Sequence, residues 1–556
     1  MNVIQADLSL RGVMSFVQTV LVIDNELTFE DEPVAGGRLN APKVAFGRKA
    51  AAAPVNVGGA ADAEDEVEPS PLDAKAIMDA FLKESMICGM HKPLKGDDLV
   101  AEAIKAARRS DAVIVDWRLD GADTAAAKAI VAGILEGDEQ ERGRLRLIAI
   151  YTSEPDIASV ASQLSDHLGR EDVLKLDGHA LTGQDTRIIV LNKDGTVGGR
   201  DVVRVGELPG RIVKEFSELA GGILSTFAVT AIAAVRRSTH HVLSVFSRSL
   251  DGSYVAHRSA IKSPEDAQDF ALDLLTGELR SVVSMNPDAM EVLKVAHVAD
   301  WIGKRAKDGL ITGGGIEIPV EVVKGFPERG EFAVIESQPI QRKPGDKVNQ
   351  VKGKNCIQPH NVALLFHDDA ESADEHARRF ARLSSFKSEA FGRTKLPIGW
   401  SPILTLGTLM VQLSARGHVL PGRYLLCTQP RCDAVRIKEA KRGFPFQLGS
   451  EATERPFHLV VMVKKKGEVK QANVKIGNKP YDTQIIEFVP NADQRVQAVV
   501  GASGHFEFVD RKRNRYLWLG ELRDLTAQRV ASSVAARLHE VGIDEFEWLR
   551  LQGHKA

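Results

Sequence analysis

The sequence has little cysteine and no long apolar run. Only 4 of its 556 residues are cysteines, which are too few and too scattered for a disulfide framework. The longest apolar stretch, 222–235, is well short of the roughly 20 residues that cross a bilayer, and it ends at Arg236. No basic segment followed by an apolar core, the mark of a signal peptide, is found near the first residue. We therefore expect a cytoplasmic protein with reduced thiols and no membrane-spanning segment.

Neither sign of charge dominates the chain. Its 72 basic and 75 acidic residues give a formal charge of −3, which excludes the composition of a general polyanion binder. Local basic patches at 464–466 and 511–515 could still bind nucleic acid, but they also fit solvated hairpin ends and no helix-turn-helix pattern is found, so we expect no nucleic-acid partner. Apolar residues make up 44% and charged residues 26%, the balance of an ordinary globular protein. The length suggests about three or four domains.

Apolar strand-like runs alternate with amphipathic helices up to about residue 220. The predicted strands cover 16–24, 112–115, 145–151 and 187–191. The predicted helices cover 73–84, 97–109, 125–135, 157–168 and 211–219. This alternation is typical of a doubly wound parallel sheet with helices on both faces. In such α/β folds the ligand site lies at the carboxyl ends of the strands.

Three composition changes predict the domain boundaries. A stretch of low hydrophobicity near 30–70 predicts a flexible insertion within a first domain at 1–220. The pattern over 221–335 is almost entirely helical and predicts a connector domain, with one long helix or two abutting helices over 211–248 and a helix over 287–307. A polar, lysine-rich linker at 339–354 then leads to a mixed pattern of strands and helices at 340–556, which predicts an α+β domain with a strand at 362–366.

The residues at the predicted strand ends suggest one kind of chemistry. Asp24, Asn25 and Glu26 follow the first strand, Asp116 follows another, and later strands end at Thr152 and Lys193. A carboxylate accepts a phosphoryl group only where the charge on the transferring oxygens is neutralised. A hard divalent cation held by oxygen ligands does most of this, and a lysine adds a fixed charge. A nearby hydroxyl can bond to the new phosphate.

These segments carry a resemblance to a known family. VLVID (20–24), VIVDW (113–117) and YTS (151–153), followed by Lys193, resemble in this order the receiver domain of two-component response regulators. The insertion near 30–70, ELPGR (207–211) and AHRS (256–259) are similar to the bacterial "response receiver domain" variant. The resemblance covers about residues 16–220.

The resemblance implies a flavodoxin-like fold and a set of site residues. It implies that Asp116 is the phospho-acceptor and that Thr152 is the switch hydroxyl. Lys193 would contact the phosphate. The implied Mg²⁺ ligands are Asp24, Asn25, Glu26 and Asp116. The implied partner is a sensor histidine kinase or a similar ATP-binding protein, and a homodimer would form through the surface near Lys193.

Two departures from the family pattern leave alternatives open. Receivers usually carry two adjacent acids after the first strand, whereas Asn25 takes the second position here, and an amide oxygen lacks the charge of a carboxylate. Asp194 follows Lys193 where a proline is usual, so Lys175 is a rival for the lysine role. The main hypothesis is a signalling regulator with a phosphorylated receiver. A phosphorylation-independent scaffold is an alternative.

An effector enzyme switched by the receiver is a second alternative. Its chemistry would lie in 340–556, where Cys427, Cys432 and Asp433 are the first residues to consider. A thiol nucleophile needs a lowered pKa or an adjacent base. The sequence spacing alone identifies no such base.

Overall fold

The structure is a computed structural model that describes most of the chain. The described residues are 3–28, 72–93, 98–119, 123–141, 143–193, 202–261, 266–313, 316–329, 359–367, 369–388, 396–397, 399–429, 457–462, 482–492 and 494–540. The whole predicted insertion near 30–70 and the whole predicted linker at 339–354 lie outside these residues. The chain divides into two compact units: Met1–His240 with Ser281–Trp301, and His241–Arg280 with Ile302–Ala556.

The N-terminal unit alternates strands and helices as the sequence predicts. Its elements up to residue 220 are α1 (Val3–Phe16), β1 (Thr19–Ile23), β2 (Leu27–Thr28), β3 (Leu72–Asp73), α2 (Ala74–Lys83), β4 (Ile87–His91), α3 (Leu99–Ala107), β5 (Ala112–Val115), α4 (Ala125–Gln140), β6 (Arg146–Thr152), α5 (Ile157–Leu168), β7 (Lys175–Asp177), β8 (Ala180–Thr182), β9 (Thr186–Asn192) and α6 (Leu208–Leu219). Aspartates begin several helices: the Asp73, Asp98 and Asp156 side chains each accept a hydrogen bond from an amide in the first turn.

Seven strands form the main sheet of this unit, in the order β4-β1-β5-β6-β9-β8-β7. The first five are parallel, and β8 and β7 continue the sheet as an antiparallel hairpin. Every residue of β5 and β6 is buried, because helices cover both faces of the sheet. The arrangement confirms the predicted flavodoxin-like fold. The short β2–β3 pair forms a separate two-stranded sheet.

Two apolar cores cover the two faces of the sheet. Alternate residues of β1 enter different cores, with Val20 and Val22 in one and Leu21 and Ile23 in the other. This is the period of two that a strand imposes. The first core also contains residues of α6, among them Phe216.

The structure adds one helix that was not predicted in this unit and decides between two alternatives for another segment. No helix was predicted at 3–16, where α1 packs against α6 with the rings of Phe16 and Phe216 centred 5.6 Å apart. The run 211–248 was left open as one long helix or two abutting ones, and the structure has two. Gly222 separates α6 from the next helix with a φ of +148°, a conformation that only glycine adopts readily.

The central region is helical with one small hairpin. Its elements are α7 (Ile223–Val245), α8 (Asp251–Ala260), α9 (Asp266–Ser284), α10 (Pro287–Val292), α11 (Val295–Lys304), β10 (Leu310–Gly313), β11 (Ile316–Pro319), α12 (Val320–Lys324) and α13 (Phe326–Arg329). A single helix was expected over 287–307, and the structure has two there. No helix among the described residues is long and apolar enough to cross a membrane.

The C-terminal region has an α+β arrangement, as predicted. Its elements are α14 (Ala370–Ser385), β12 (Thr408–Leu413), β13 (Val419–Cys427), β14 (Phe457–Met462), β15 (Asp482–Ile486), β16 (Val499–Val500), β17 (Phe506–Val509), β18 (Arg515–Glu521) and α15 (Asp524–Glu540). The seven strands form one antiparallel sheet in the order β15-β14-β13-β12-β18-β17-β16. The strand predicted at 362–366 is wrong, since Pro359–Phe366 is a 3₁₀ helix. A short apolar run does not by itself distinguish the two.

Candidate functional site

Two buried carboxylates meet at the carboxyl edge of the main sheet. Asp24 directly follows β1 and Asp116 directly follows β5, and these two strands are parallel neighbours in register. The Asp116 amide donates to the Ile23 carbonyl oxygen at 2.9 Å, which continues the pairing to the strand ends. Asp24 and Asp116 are only 2% and 6% exposed. Two acids removed from water in this way need a cation between them.

Lys193 supplies that cation in the structure. Its Nζ lies 2.6 Å from Oδ2 of Asp24 and 2.7 Å from Oδ1 of Asp116, and its side chain is 4% exposed. Lys193 follows β9, so its long side chain reaches past the end of β6 to Asp116 and past the ends of β6 and β5 to Asp24. The rival lysine, Lys175, is exposed on β7, the outermost strand of the sheet beyond β9 and β8.

Burial and charge shift the pKa values of this group in opposing ways. Burial raises the pKa of Asp116 above the usual range, and Lys193 offsets this only in part while Asp24 adds to it. Burial alone would lower the pKa of Lys193, but the two carboxylates outweigh it and the pKa is raised. Lys193 is therefore held as an ammonium ion. A carboxylate with a raised pKa is also the more basic nucleophile.

Thr152 ends the strand beside Asp116. It is almost fully buried, and Lys193 donates its backbone amide to the Thr152 carbonyl oxygen at 2.7 Å. The Thr152 hydroxyl accepts a hydrogen bond from the Glu154 amide at 3.2 Å. That bond leaves the hydroxyl proton available to an incoming acceptor. The Tyr151 ring adds an aromatic face, with its centroid 5.6 Å from the Lys193 ammonium.

The loop after β1 offers further oxygen atoms. The Asp24 side chain accepts a hydrogen bond from the Glu26 amide at 2.7 Å, which tightens the turn. The amide oxygen of Asn25 is buried and finds no hydrogen-bond partner among the described residues. The pKa of the Glu26 carboxyl is raised, and burial is the main cause. Leu72 donates its amide to the Glu26 carbonyl oxygen at 3.1 Å, which holds this loop from the β3 side.

The donors at this edge fit a hard divalent cation. They are all oxygens, which suit Mg²⁺ rather than a soft transition metal, and the unpartnered oxygen of Asn25 is a free ligand position. Among the residues that the structure describes, no group of three or more His, Cys, Asp or Glu side chains could hold a metal ion. The protein ligands would be the carboxylates of Asp24 and Asp116 with the amide oxygen of Asn25. The Glu26 carboxylate stays the fourth proposed ligand, and water would complete the shell.

One contact at the mouth of the site was not predicted from the sequence. Arg118 and Glu154 form an ion pair between the loops that follow β5 and β6. The Arg118 amide donates to Oδ2 of Asp116 at 3.1 Å. The Glu154 carbonyl oxygen accepts a hydrogen bond from the Asn192 side chain at 2.9 Å. Both residues lie two positions beyond a strand-end site residue, and that spacing was the signal available in the sequence.

The cysteine considered for an effector enzyme lies in the C-terminal core. Cys427 on β13 is fully buried, and burial raises the pKa of its thiol to about 12. A thiol of this kind stays protonated and is a poor nucleophile. Cys432 and Asp433 lie outside the described residues.

The comparison with known families agrees with this geometry. Residues 16–198 match the family model described as the response receiver domain. No curated protein and no solved structure matches the chain. Receiver domains of this kind indicate a phosphorelay role of the response-regulator type, with a histidine kinase or another phosphodonor as partner. The N-terminal unit of this chain thus contains a response receiver domain.

Proposed function

We propose that Asp116 is the phospho-acceptor of a signalling regulator whose receiver domain controls a C-terminal output or a partner. The observation that carries this proposal is the pair of buried carboxylates bridged by Lys193 at two neighbouring strand ends. A structural ion pair rarely needs two acids and one base buried together, because the net charge must be desolvated. Such a buried charge cluster is expected where a site binds a further cation and an anion.

The proposed reaction transfers a phosphoryl group to a carboxylate oxygen. A lone pair of Asp116 forms a bond to phosphorus while the bond to the donor's leaving group breaks, and the leaving group takes that electron pair. The ammonium of Lys193 stabilises the phosphoryl oxygens. Bound Mg²⁺, held by Asp24, Asn25 and Asp116, would neutralise charge on the same oxygens. The Thr152 hydroxyl then donates to a phosphoryl oxygen.

The signal would leave the site through Thr152 and Lys193. An added phosphate brings about −1.5 to −2 charge to a buried edge, so these side chains and the loops that carry them must rearrange. The C-terminal unit, or a partner protein, would read that change. In this proposal 1–220 is the receiver with its insertion, 221–335 the connector and 340–556 the output domain, in a cytoplasmic protein.

Intact mass after incubation with Mg²⁺ and acetyl phosphate tests the proposal. Wild-type protein should gain about 80 Da, the mass of one phosphoryl group, and Asp116→Asn should gain nothing. An adduct of the same size on Asp116→Asn would assign the acceptor elsewhere. No adduct on the wild type, with no response to beryllofluoride, would reject phosphorylation.

The second candidate is a binding protein that works without phosphate. Asn25 favours it, because a neutral ligand in place of an acid weakens the hold on Mg²⁺. Lys193 also neutralises the two carboxylates without any metal. In that case the receiver would present a fixed surface to its partner, and the mass experiment would give no adduct.

Restoring an acid at position 25 should strengthen Mg²⁺ binding. We expect Asn25→Asp to tighten the Mg²⁺ dissociation constant about tenfold or more, since the added charge is worth about 1.4 kcal/mol or more at this buried edge. The same change should destabilise the metal-free protein. Isothermal titration with Mg²⁺ measures the first effect and thermal unfolding the second. Unchanged affinity would mean that residue 25 does not touch the metal.

Removing either charge of the Arg118–Glu154 ion pair should change beryllofluoride binding, in opposite directions for the two residues. Glu154→Gln leaves Arg118 free to attract an anion on Asp116, and we expect beryllofluoride to bind several-fold tighter. Arg118→Gln leaves the Glu154 carboxylate to repel that anion, and binding should weaken by about the same factor. A factor of two to ten corresponds to about 0.4–1.4 kcal/mol, the range of a partly exposed pair. The double variant should bind like the wild type. Two changes in the same direction would contradict this.

A further inference from the structure

The segment His241–Arg280 exposes much apolar surface. Nine large apolar side chains in its described residues are between 39% and 59% exposed, among them Leu243, Phe246, Val255 and Leu272. Side chains of this size, about half exposed, leave on the order of 700 Å² of apolar surface in water, close to the roughly 800 Å² that each partner buries in a standard interface. Patches beyond a few hundred Å² mark interaction sites on globular proteins.

Helix α9 carries two apolar rows on opposite sides. The Phe270 ring packs against His257 of α8, with the ring centroids 4.5 Å apart, so α8 covers part of that side of α9, where Phe270 remains 42% exposed. Leu272, Leu275 and Leu279 lie about 180° around the helix from Phe270, at about 100° per residue. Their spacing of three and then four residues is that of a coiled-coil seam. Leu272 on this row is 58% exposed.

The charges around the exposed surface are of two kinds. Asp269 and Glu278 are exposed on α9, one on each side of the leucine row. Residues 241–250 instead carry His241 and Arg248 and no acid. If α9 of one copy paired with α9 of the other, their acidic side chains would repel each other. A pairing of 241–250 with α9 brings opposite charges together and covers apolar side chains on both.

In a dimer with a two-fold axis, this pairing occurs twice in the same interface. Residues 241–250 of one copy then lie on α9 of the other, and the second copy returns the same contact. We infer that a second copy of this chain binds the leucine row of α9 and the exposed residues 241–250, giving a homodimer through the helical region. The inference goes beyond the proposed function and holds with or without phosphate on Asp116.

Sedimentation of the full chain, without Mg²⁺ or a phosphodonor, tests the inference. The wild type should give about twice the chain mass of 60.5 kDa and dissociate on dilution. Leu272→Glu with Leu275→Glu should raise the dissociation constant at least about tenfold, as for residues central to an interface. The matched control is Leu525→Glu on α15, where Leu525 is 75% exposed, and it should stay dimeric.

Reversing the charges on both sides of the interface gives a test that misfolding cannot mimic, because a misfolded variant would not be rescued by a second change. Asp269→Lys with Glu278→Lys should weaken the dimer, and Arg248→Glu added to both should restore it in part. A monomeric wild type at every concentration would overturn the inference. So would a dimer that the two leucine changes leave intact, or a monomer whose leucine row is protected from hydrogen exchange by another part of its own chain.

Discussion

Lys193→Met is expected to lower the unfolding free energy of the N-terminal unit by about 3–5 kcal/mol at neutral pH, the range for breaking a buried ion pair from one side. The variant keeps two acids that are 2% and 6% exposed and removes the ammonium that touches both. Methionine fills a similar volume, so the loss of charge rather than of packing dominates. Urea unfolding monitored by circular dichroism measures the change.

The pH dependence of the variant should distinguish charge from packing. Burial already raises the folded pKa of Asp116 above its unfolded value, and without Lys193 that pKa rises further. A group with a raised folded pKa contributes stability below the unfolded value and loses it as pH rises through the folded value. The deficit of Lys193→Met should therefore shrink from pH 7 towards pH 5. In the wild type the raised pKa of Lys193 places the corresponding loss at strongly alkaline pH.

Mg²⁺ should compensate for the missing ammonium. A divalent cation between Asp24 and Asp116 replaces the charge of Lys193, and a ligand that binds only the folded state adds to its stability. We expect the variant to gain more stability from Mg²⁺ than the wild type does. The phosphoryl adduct should nevertheless form much more slowly, because Lys193 no longer faces the transferred group.

Lys175→Met is the matched control for Lys193→Met. It is the same change at the rival lysine, which lies exposed on the edge strand β7. An exposed substitution of this kind changes stability by about 0.5 kcal/mol or less. Equal losses for the two variants would mean that Lys193 contributes no more than a surface charge, and the proposed site would then lose its central cation.

The sequence was most informative where the fold left few choices. Buried parallel strands read as continuous apolar runs, so the ends of β1, β5, β6 and β9 could be located to within a residue or two. Parallel strands bring their carboxyl ends to one edge, which is why Asp24, Asp116, Thr152 and Lys193 were predicted together. The contact of Lys193 with Asp24 as well as Asp116 depends on side-chain reach, and no sequence spacing encodes that.

Contacts between loops and between distant segments could not be predicted in detail from the sequence. The Arg118–Glu154 pair depends on two loop conformations, which the two-residue spacing from Asp116 and Thr152 does not specify. Helix α1 was not predicted from the sequence, although Leu8 and Val13 on it are buried. Arg236 of α7 donates to both carboxylate oxygens of Asp111, at 2.9 and 3.0 Å, and joins segments 125 residues apart.

We expect Phe216→Ala to lower the unfolding free energy of the receiver strongly, although Phe216 lies outside the family match at 16–198. The side chain is fully buried in the core on one face of the main sheet, with Leu208 and Ile212 of the same helix. Truncating a buried phenylalanine costs about 3–5 kcal/mol, through lost transfer energy and the cavity left behind. Phe380→Ala on α14 is the control, since Phe380 is largely exposed and its loss should cost about 0.5 kcal/mol or less.

The same variant shows how far the receiver depends on the chain around it. If residues 16–198 formed a complete folding unit, removing a side chain of α6 would leave the urea midpoint of the N-terminal unit unchanged. The shared core predicts the opposite, because α6 covers one face of the sheet and α1 covers α6 in turn. A signal that loosens this face at Lys193 would then reach α6 and α1 directly, through packed side chains rather than through a flexible linker.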